Sequence, residues 1–259
     1  MSHLKLNQVT DAETSDSHWK GLYKVAAAAA LLIVAMIPIQ AIVFVAWPPP
    51  DFLPNVSTVT DWFTLFQNNW LLGLLELDLL LIADYALGGL VTLALYVALR
   101  RTSESFTAIA LILGLVGIAD YIASNPAFSM LSLSDQYAAA TTDAQRSMFL
   151  AAGQAMLAVY QGTAFLVSFV LLVVAPLILS VVMLRSNIFS KVTAYVGILG
   201  SAIALAIGPL LSLISVVVFA IWYILIARRL FQLGQSASKE EANRNETGRN
   251  LWLCRRKNR

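Results

Sequence analysis

The chain has 259 residues, of which 59% are hydrophobic and 12% charged, with a mean hydropathy of +0.74 and a formal net charge of +2. A soluble domain is about 45–50% apolar and about 25% charged, so this composition excludes a water-soluble globular protein and leaves one dissolved in lipid. The single cysteine, Cys254, excludes an intrachain disulfide and a multi-cysteine metal site, and both histidines, His3 and His18, fall in the polar N-terminal arm.

In chain order, residues 1–20 form a polar arm of mixed charge, and 21–234 form the membrane domain. Crossing the hydrocarbon takes about 20 apolar residues in a helix. Six stretches qualify, near 24–46, 72–99, 105–124, 160–184, 190–208 and 210–230. The first exceeds the usual signal-peptide core of about 7–15 residues and ends in Trp47-Pro48-Pro49-Pro50, so it is expected to be a permanent span. In the connection after it, Thr58-Val59-Thr60-Asp61 resembles a capping box. Trp62, Leu65, Phe66 and Trp70 follow it, and the pattern predicts a short amphipathic helix with aromatics at headgroup level or, alternatively, a segment packed on the bundle. After the third span, Asn125-Pro126 stops the helix, and Ser132-Leu133-Ser134-Asp135 is expected to start a short helix. Thr142-Asp143-Ala144-Gln145 is a second capping box, opening a helix that can run on into span four. Gly208-Pro209 separates spans five and six. Residues 235–259 are a basic tail, read either as disordered or as drawn to anionic lipid.

The charges orient these spans. All but one of the 17 Lys and Arg residues lie in segments that fall on one side, the exception being Arg146. By the positive-inside rule both termini face the cytoplasm, and the connections 47–71 and 125–159 form a helical outer cap. The expected fold class is all-α: a polytopic six-helix transmembrane bundle with that cap, in the cell membrane.

The polar residues inside the spans are acidic or neutral. Glu76, Asp78 and Asp84 fall in span two and Asp120 in span three, with no Lys or Arg inside a span to pair with them. Counting back from Arg100 places Glu76 and Asp78 at the interface and Asp84 about 8 Å inside it. Asp120 falls at a similar depth, as do Gln40, Gln161, Thr163, Ser212 and Ser215. An intramembrane carboxylate costs about 2.5–3.5 kcal/mol, so these groups are expected to face the bundle or water. The candidate ligand-binding set is Asp84, Asp120, Gln40, Tyr121, Gln161 and Thr163, lining a polar pocket open to the outside. Asp84 and Asp120 are expected to approach each other there. Three readings remain open: the aspartates bind a small polar or cationic ligand, they hold the bundle together through hydrogen bonds, or they form an aspartyl catalytic pair. For the last, Gly117-Ile118-Ala119-Asp120 is a partial match to the Gly-x-Gly-Asp of intramembrane aspartyl proteases, lacking its second glycine. No nucleotide loop, zinc-protease motif or nucleophile elbow is present, so no cofactor is implied. The expected partners are the lipid bilayer and such a ligand, with no nucleic acid.

The stretch from Ser124 to Gly200, with Asn125, Pro126, Gln136, Tyr137, Gln154, Tyr160 and Gln161, resembles the bacterial integral membrane proteins grouped as DUF4386. The resemblance extends over about 20–234. It implies a six-span bacterial membrane protein and supplies no activity and no residue roles.

Overall fold

The computed structural model describes residues 19–48, 50, 58–208 and 214–235, and among the described residues it is helical, with no strand. The helices are α1 (Lys20–Ala46), α2 (Val59–Asn68), α3 (Trp70–Glu76), α4 (Leu79–Leu99), α5 (Glu104–Ser124), α6 (Ala127–Ala139), α7 (Asp143–Tyr160), α8 (Thr163–Arg185), α9 (Lys191–Ile207) and α10 (Ile214–Gln235). Pro209, Ser212, the N-terminal arm and the basic tail lie outside the described residues.

Five helical stretches are long and apolar enough to cross a membrane: α1, α4, the stretch 104–139 holding α5 and α6, the stretch 143–185 holding α7 and α8, and α10. That corrects the expectation of six full-length spans. The fifth expected span, 190–208, forms α9, which has only 17 residues. Its ends fix its length. The Ser190 hydroxyl accepts from the Thr193 backbone N–H at its start, and Gly208 ends it at φ 77, a left-handed conformation a side chain would disfavour.

Span two also differs from its simple reading, because the run 72–99 breaks at Leu77–Asp78 into α3 and α4. Asp78 adopts φ 64, the one positive φ among the described non-glycine residues. Aspartate tolerates this better than most residues. The break leaves the Leu77 carbonyl without a helical donor, and the Asn125 side-chain amide donates to it at 2.9 Å. The long helix expected from 143 into span four likewise breaks, at Gln161–Gly162.

The chain ends of the helices sort the charges. The start of α1 meets the end of α10, where a Cβ on Gly234 would press on Lys24, and Arg100 at the end of α4 lies 6.0 Å from the Trp19 ring. Arg229 of α10 donates to the Ile188 carbonyl between α8 and α9. Lys20, Lys24, Arg100, Arg101, Arg185, Lys191, Arg228 and Arg229 therefore gather at one end of the bundle, and Arg146 sits in the cap at the other.

Two cores result. The bundle core is built from Ala26, Ala27, Ala29 and Ala30 of α1, Val91, Leu95 and Leu99 of α4, Leu179 and Met183 of α8, and Trp222, Ile226 and Leu230 of α10. Small residues bring the helices close. On α5, a Cβ at Gly117 would lie 3.0 Å from the Leu171 and Leu172 side chains of α8, and one at Gly114 would lie 3.6 Å from the Ala175 Cβ. The outer face of the bundle stays apolar: Ile42, Ile112, Val116, Leu166, Val192 and Leu199 are all exposed. Such a surface does not suit a water-soluble monomer.

The second core makes the cap. Trp62, Phe63 and Phe66 of α2 pack with Leu74, Leu77, Ala127 and Met130. The α2 aromatics are thus enclosed by protein rather than spread at headgroup level, and of the set only Trp70 is exposed. Both capping boxes form: the Thr58 N–H donates to Asp61 at 2.7 Å, and the Gln145 N–H donates to the Thr142 hydroxyl at 3.2 Å. The expected helix start at Ser132 is corrected. α6 begins at Ala127, whose N–H is taken by the Asn125 side chain, and Ser134 lies inside the helix, buried, donating to the Phe63 carbonyl at 3.0 Å. A hydroxyl that would cap an exposed turn is used instead to join α6 to α2.

Candidate functional site

α4 carries the polar residues that matter, and its turn of about 100° per residue sends consecutive side chains to different neighbours. Asp84 turns toward α1, where the Gln40 amide donates to its Oδ2 at 2.5 Å. Asp84 is 7% exposed, and its other carboxylate oxygen, Oδ1, is buried without a hydrogen-bond partner among the described residues. Tyr85 turns toward α5, its ring edge-on to Tyr121 at 4.7 Å.

Asp78 forms a second centre one and a half turns toward the cap. The hydroxyls of Tyr121 and Tyr160 both donate to its Oδ2, Tyr121 at 2.9 Å. Since Tyr160 closes α7 of the cap and Tyr121 belongs to α5 of the bundle, this carboxylate ties the two layers together. Phe165 fills the space beside both phenols, with centroids 6.4 Å from Tyr121 and 5.9 Å from Tyr160.

A cavity of about 60 Å³ lies between α4, α5, α8 and α10, and Asp84 is not among its wall residues. Its walls include Tyr85, Gly88, Thr92, Pro176, Trp222 and Tyr223. The glycine makes the room: a Cβ on Gly88 would come within 3.6 Å of the Tyr223 hydroxyl. Thr92 spends its hydroxyl on the Gly88 carbonyl at 2.9 Å, so it presents its methyl-bearing side without a free donor. Trp222 is buried, and its indole N–H has no hydrogen-bond partner among the described residues. It meets the Ser180 hydroxyl over Gly197, where a Cβ would collide with both.

The sequence-derived set is thus distributed over several places. Gln40 and Asp84 bond directly, and Tyr121 is buried with its hydroxyl on Asp78. Gln161 and Thr163 fall on exposed positions where α7 gives way to α8, and Asp120 is half-buried. No described hydrogen bond joins Asp120 to Asp84. The groups that face each other across the α4–α5 seam are Tyr85 and Tyr121. Sequence reasoning assigned Asp78 only to the interface, named Tyr85 only as a candidate hydrogen-bond partner of the aspartates and Tyr160 only as part of the family resemblance, and did not single out Trp222 or Tyr223. Tyr85 follows Asp84 directly and Gly88 opens space one turn on, a signal that was present. Tyr223 comes from a helix more than a hundred residues away and carried none.

Among the described residues no group of three His, Cys, Asp or Glu is placed to hold a metal ion. No family model, curated protein or solved structure matches the chain.

Proposed function

We propose that the chain is a multi-pass membrane protein that transports or senses a small polar or cationic ligand bound inside its bundle beside Asp84. The observation that carries this reading is the Asp84 carboxylate, buried in an apolar span with one oxygen bonded by Gln40 and the other unpartnered. A carboxylate serving only to join helices would be expected to fill its acceptor capacity from neighbouring donors, since an unsatisfied buried oxygen costs about 1–3 kcal/mol. Asp78 does that structural work, taking two phenol hydroxyls from two helices. The two acids, Asp78 at the α3–α4 break and Asp84 in α4, therefore divide into a clamp and a site.

In this reading α9 is the sixth span. Its 17 residues sit at the short end of the range of about 17–25 that crosses a bilayer, and it packs against α8 in the bundle. The cationic end of the bundle faces the cytoplasm and the cap faces outward. Membership of DUF4386 is part of the same proposal, resting on the Ser124–Gly200 resemblance. The alternative reading is an accessory membrane subunit with no ligand of its own, favoured by the cap, whose exposed face is free for a partner. An aspartyl hydrolase would need the Asp84 and Asp120 carboxylates together, and Asp84 is engaged with Gln40 on α1.

Thermal unfolding of the purified protein in detergent, across a panel of cations and small neutral metabolites, tests the ligand reading. A ligand bound only by the folded form must raise stability. Stabilisation by at least one compound that is lost in Asp84→Asn is expected. A panel with no effect, together with a protein that copurifies in stoichiometric amount, would replace it with the accessory reading.

A further inference from the structure

Resting on the reading that the bundle holds a ligand at Asp84, we infer that its ligand is a small organic ammonium ion, held in the cavity by aromatic faces with the Asp84 charge behind them. The cavity chemistry selects among ligand classes. A divalent metal wants six or so oxygen ligands, and the described residues offer no cluster of acids or histidines. An anion wants Lys, Arg or a ring of donors, and every described cation of the bundle sits at its far end. A sugar or polyol wants a hydrogen-bonding partner for each hydroxyl; the Thr92 hydroxyl is committed to its own helix, which leaves two phenols and one indole N–H on otherwise apolar walls. What the walls do supply is three aromatic side chains from two helices, Tyr85, Trp222 and Tyr223, with Pro176 and aliphatic groups closing the rest.

Aromatic faces attract a cation through the negative charge density over the ring, Trp most strongly, and they suit a weakly hydrated cation whose shell is readily removed. Trp222 and Tyr223 are adjacent in sequence, and their rings meet at 69° with centroids 5.4 Å apart, which makes a corner rather than a flat wall. Gly88 of the cavity wall stands one helical turn from Asp84, which is not itself a wall residue, so the carboxylate lies behind the wall on the α1 side of α4. Its Oδ1 has no hydrogen-bond partner among the described residues, and no described Lys or Arg stands within its span to balance it when ionised. At the end away from Gly88, Leu95 and Leu179 close the space. The single formal charge sets a monocation.

Size narrows the class. The cavity measures about 60 Å³, and about 10–15 Å³ of this measure holds one water-sized group, so the ligand has roughly four to six non-hydrogen atoms. Methylated ammonium ions fall in this range, and a drug-sized cation does not.

Tetramethylammonium chloride is the probe, added to the full-length protein in detergent, with sodium chloride at equal ionic strength and tert-butanol as a neutral molecule of similar size. Thermal unfolding and the intrinsic tryptophan fluorescence are read together. Tetramethylammonium is expected to raise the midpoint in a saturable manner and to change the fluorescence, while sodium chloride and tert-butanol do neither. Replacing Trp222 by Leu should weaken the apparent affinity by roughly tenfold, and Asp84→Asn by at least as much. If a variant fails to fold, the comparison of tetramethylammonium with tert-butanol on the unaltered protein still decides. Equal effects of the two, or an affinity unchanged in Asp84→Asn, would overturn the inference. Stabilisation by an inorganic cation or a neutral metabolite alone would overturn this ligand class and leave the ligand site standing. No stabilisation by any compound would remove both.

Discussion

Replacing Asp78 should loosen the cap from the bundle. Its carboxylate takes hydroxyl donors from Tyr121 of α5 and Tyr160 of α7, and its backbone sits at φ 64 at the α3–α4 break. A hydrogen bond to a charged group contributes about 1.5–3 kcal/mol. Two such bonds set an upper figure of about 6 kcal/mol, but Asp78 is half-buried and freed phenols can turn to water, so Asp78→Ala is expected to destabilise by about 2–4 kcal/mol. The backbone contribution separates from the side chain. A Cβ costs roughly 1–2 kcal/mol in the left-handed region, so Asp78→Gly should recover up to about 1 kcal/mol relative to Ala despite glycine's greater unfolded freedom. Asp78→Asn keeps both an acceptor oxygen and tolerance of that backbone, and should fall between Gly and the natural residue. Denaturant unfolding of the purified protein in detergent measures the order, and double-mutant cycles with Tyr121→Phe and Tyr160→Phe isolate the two bonds, each expected to couple by more than about 0.5 kcal/mol. Hydrogen exchange should show faster opening of α7 before any change in α9. Unfolding of Asp78→Ala at the natural midpoint, or cycles with no coupling, would refute the joint.

Close packing gives a paired prediction: Gly197→Ala should destabilise by about 1–3 kcal/mol, because its Cβ meets Ser180 and Trp222, whereas Gly21→Ala should be neutral or mildly stabilising, since nothing lies within 4 Å of it. The capping of α2 should depend on pH. The Thr58 backbone N–H, and secondarily its hydroxyl, hold the Asp61 carboxyl below its usual 3.8. A depressed folded value means the contribution is complete above the ordinary carboxyl range and is lost as pH falls through the folded value. Amide exchange in the first turn of α2 should therefore rise on acidification below about pH 4, and Asp61→Asn should abolish that acid dependence. The effect is small because the side chain is exposed. For topology, single cysteines at Ser105 and Ser147 in a Cys254→Ser background should label from opposite faces of sealed vesicles, Ser147 from outside. Labelling of both from one face would discard the arrangement.

Some of this was fixed by sequence alone, for physical reasons that act locally. An apolar run near 20 residues has few stable states other than a helix in lipid, so α1, α5, α8 and α10 fall close to their expected limits. The capping boxes at Thr58 and Thr142 are satisfied within four residues, and the positive charges at helix ends need no knowledge of packing. The run 190–208 was legible to within a residue at each end, because Ser190 and Gly208 act locally, whereas the break at Asp78 was not, since it depends on a neighbour, Asn125, taking the Leu77 carbonyl. Tertiary structure also decided which face each polar residue shows. By counting, Asp84 and Asp120 fall at a similar depth, yet the step of about 100° between residues of α4 sends Asp84 to Gln40 while its neighbour Tyr85 meets Tyr121. Depth along a span follows from counting at a fixed rise per residue. Direction around the helix gains meaning only when the adjoining helices take their places, and the Trp222–Tyr223 corner of the cavity comes from a segment that no local pattern connects to Asp84.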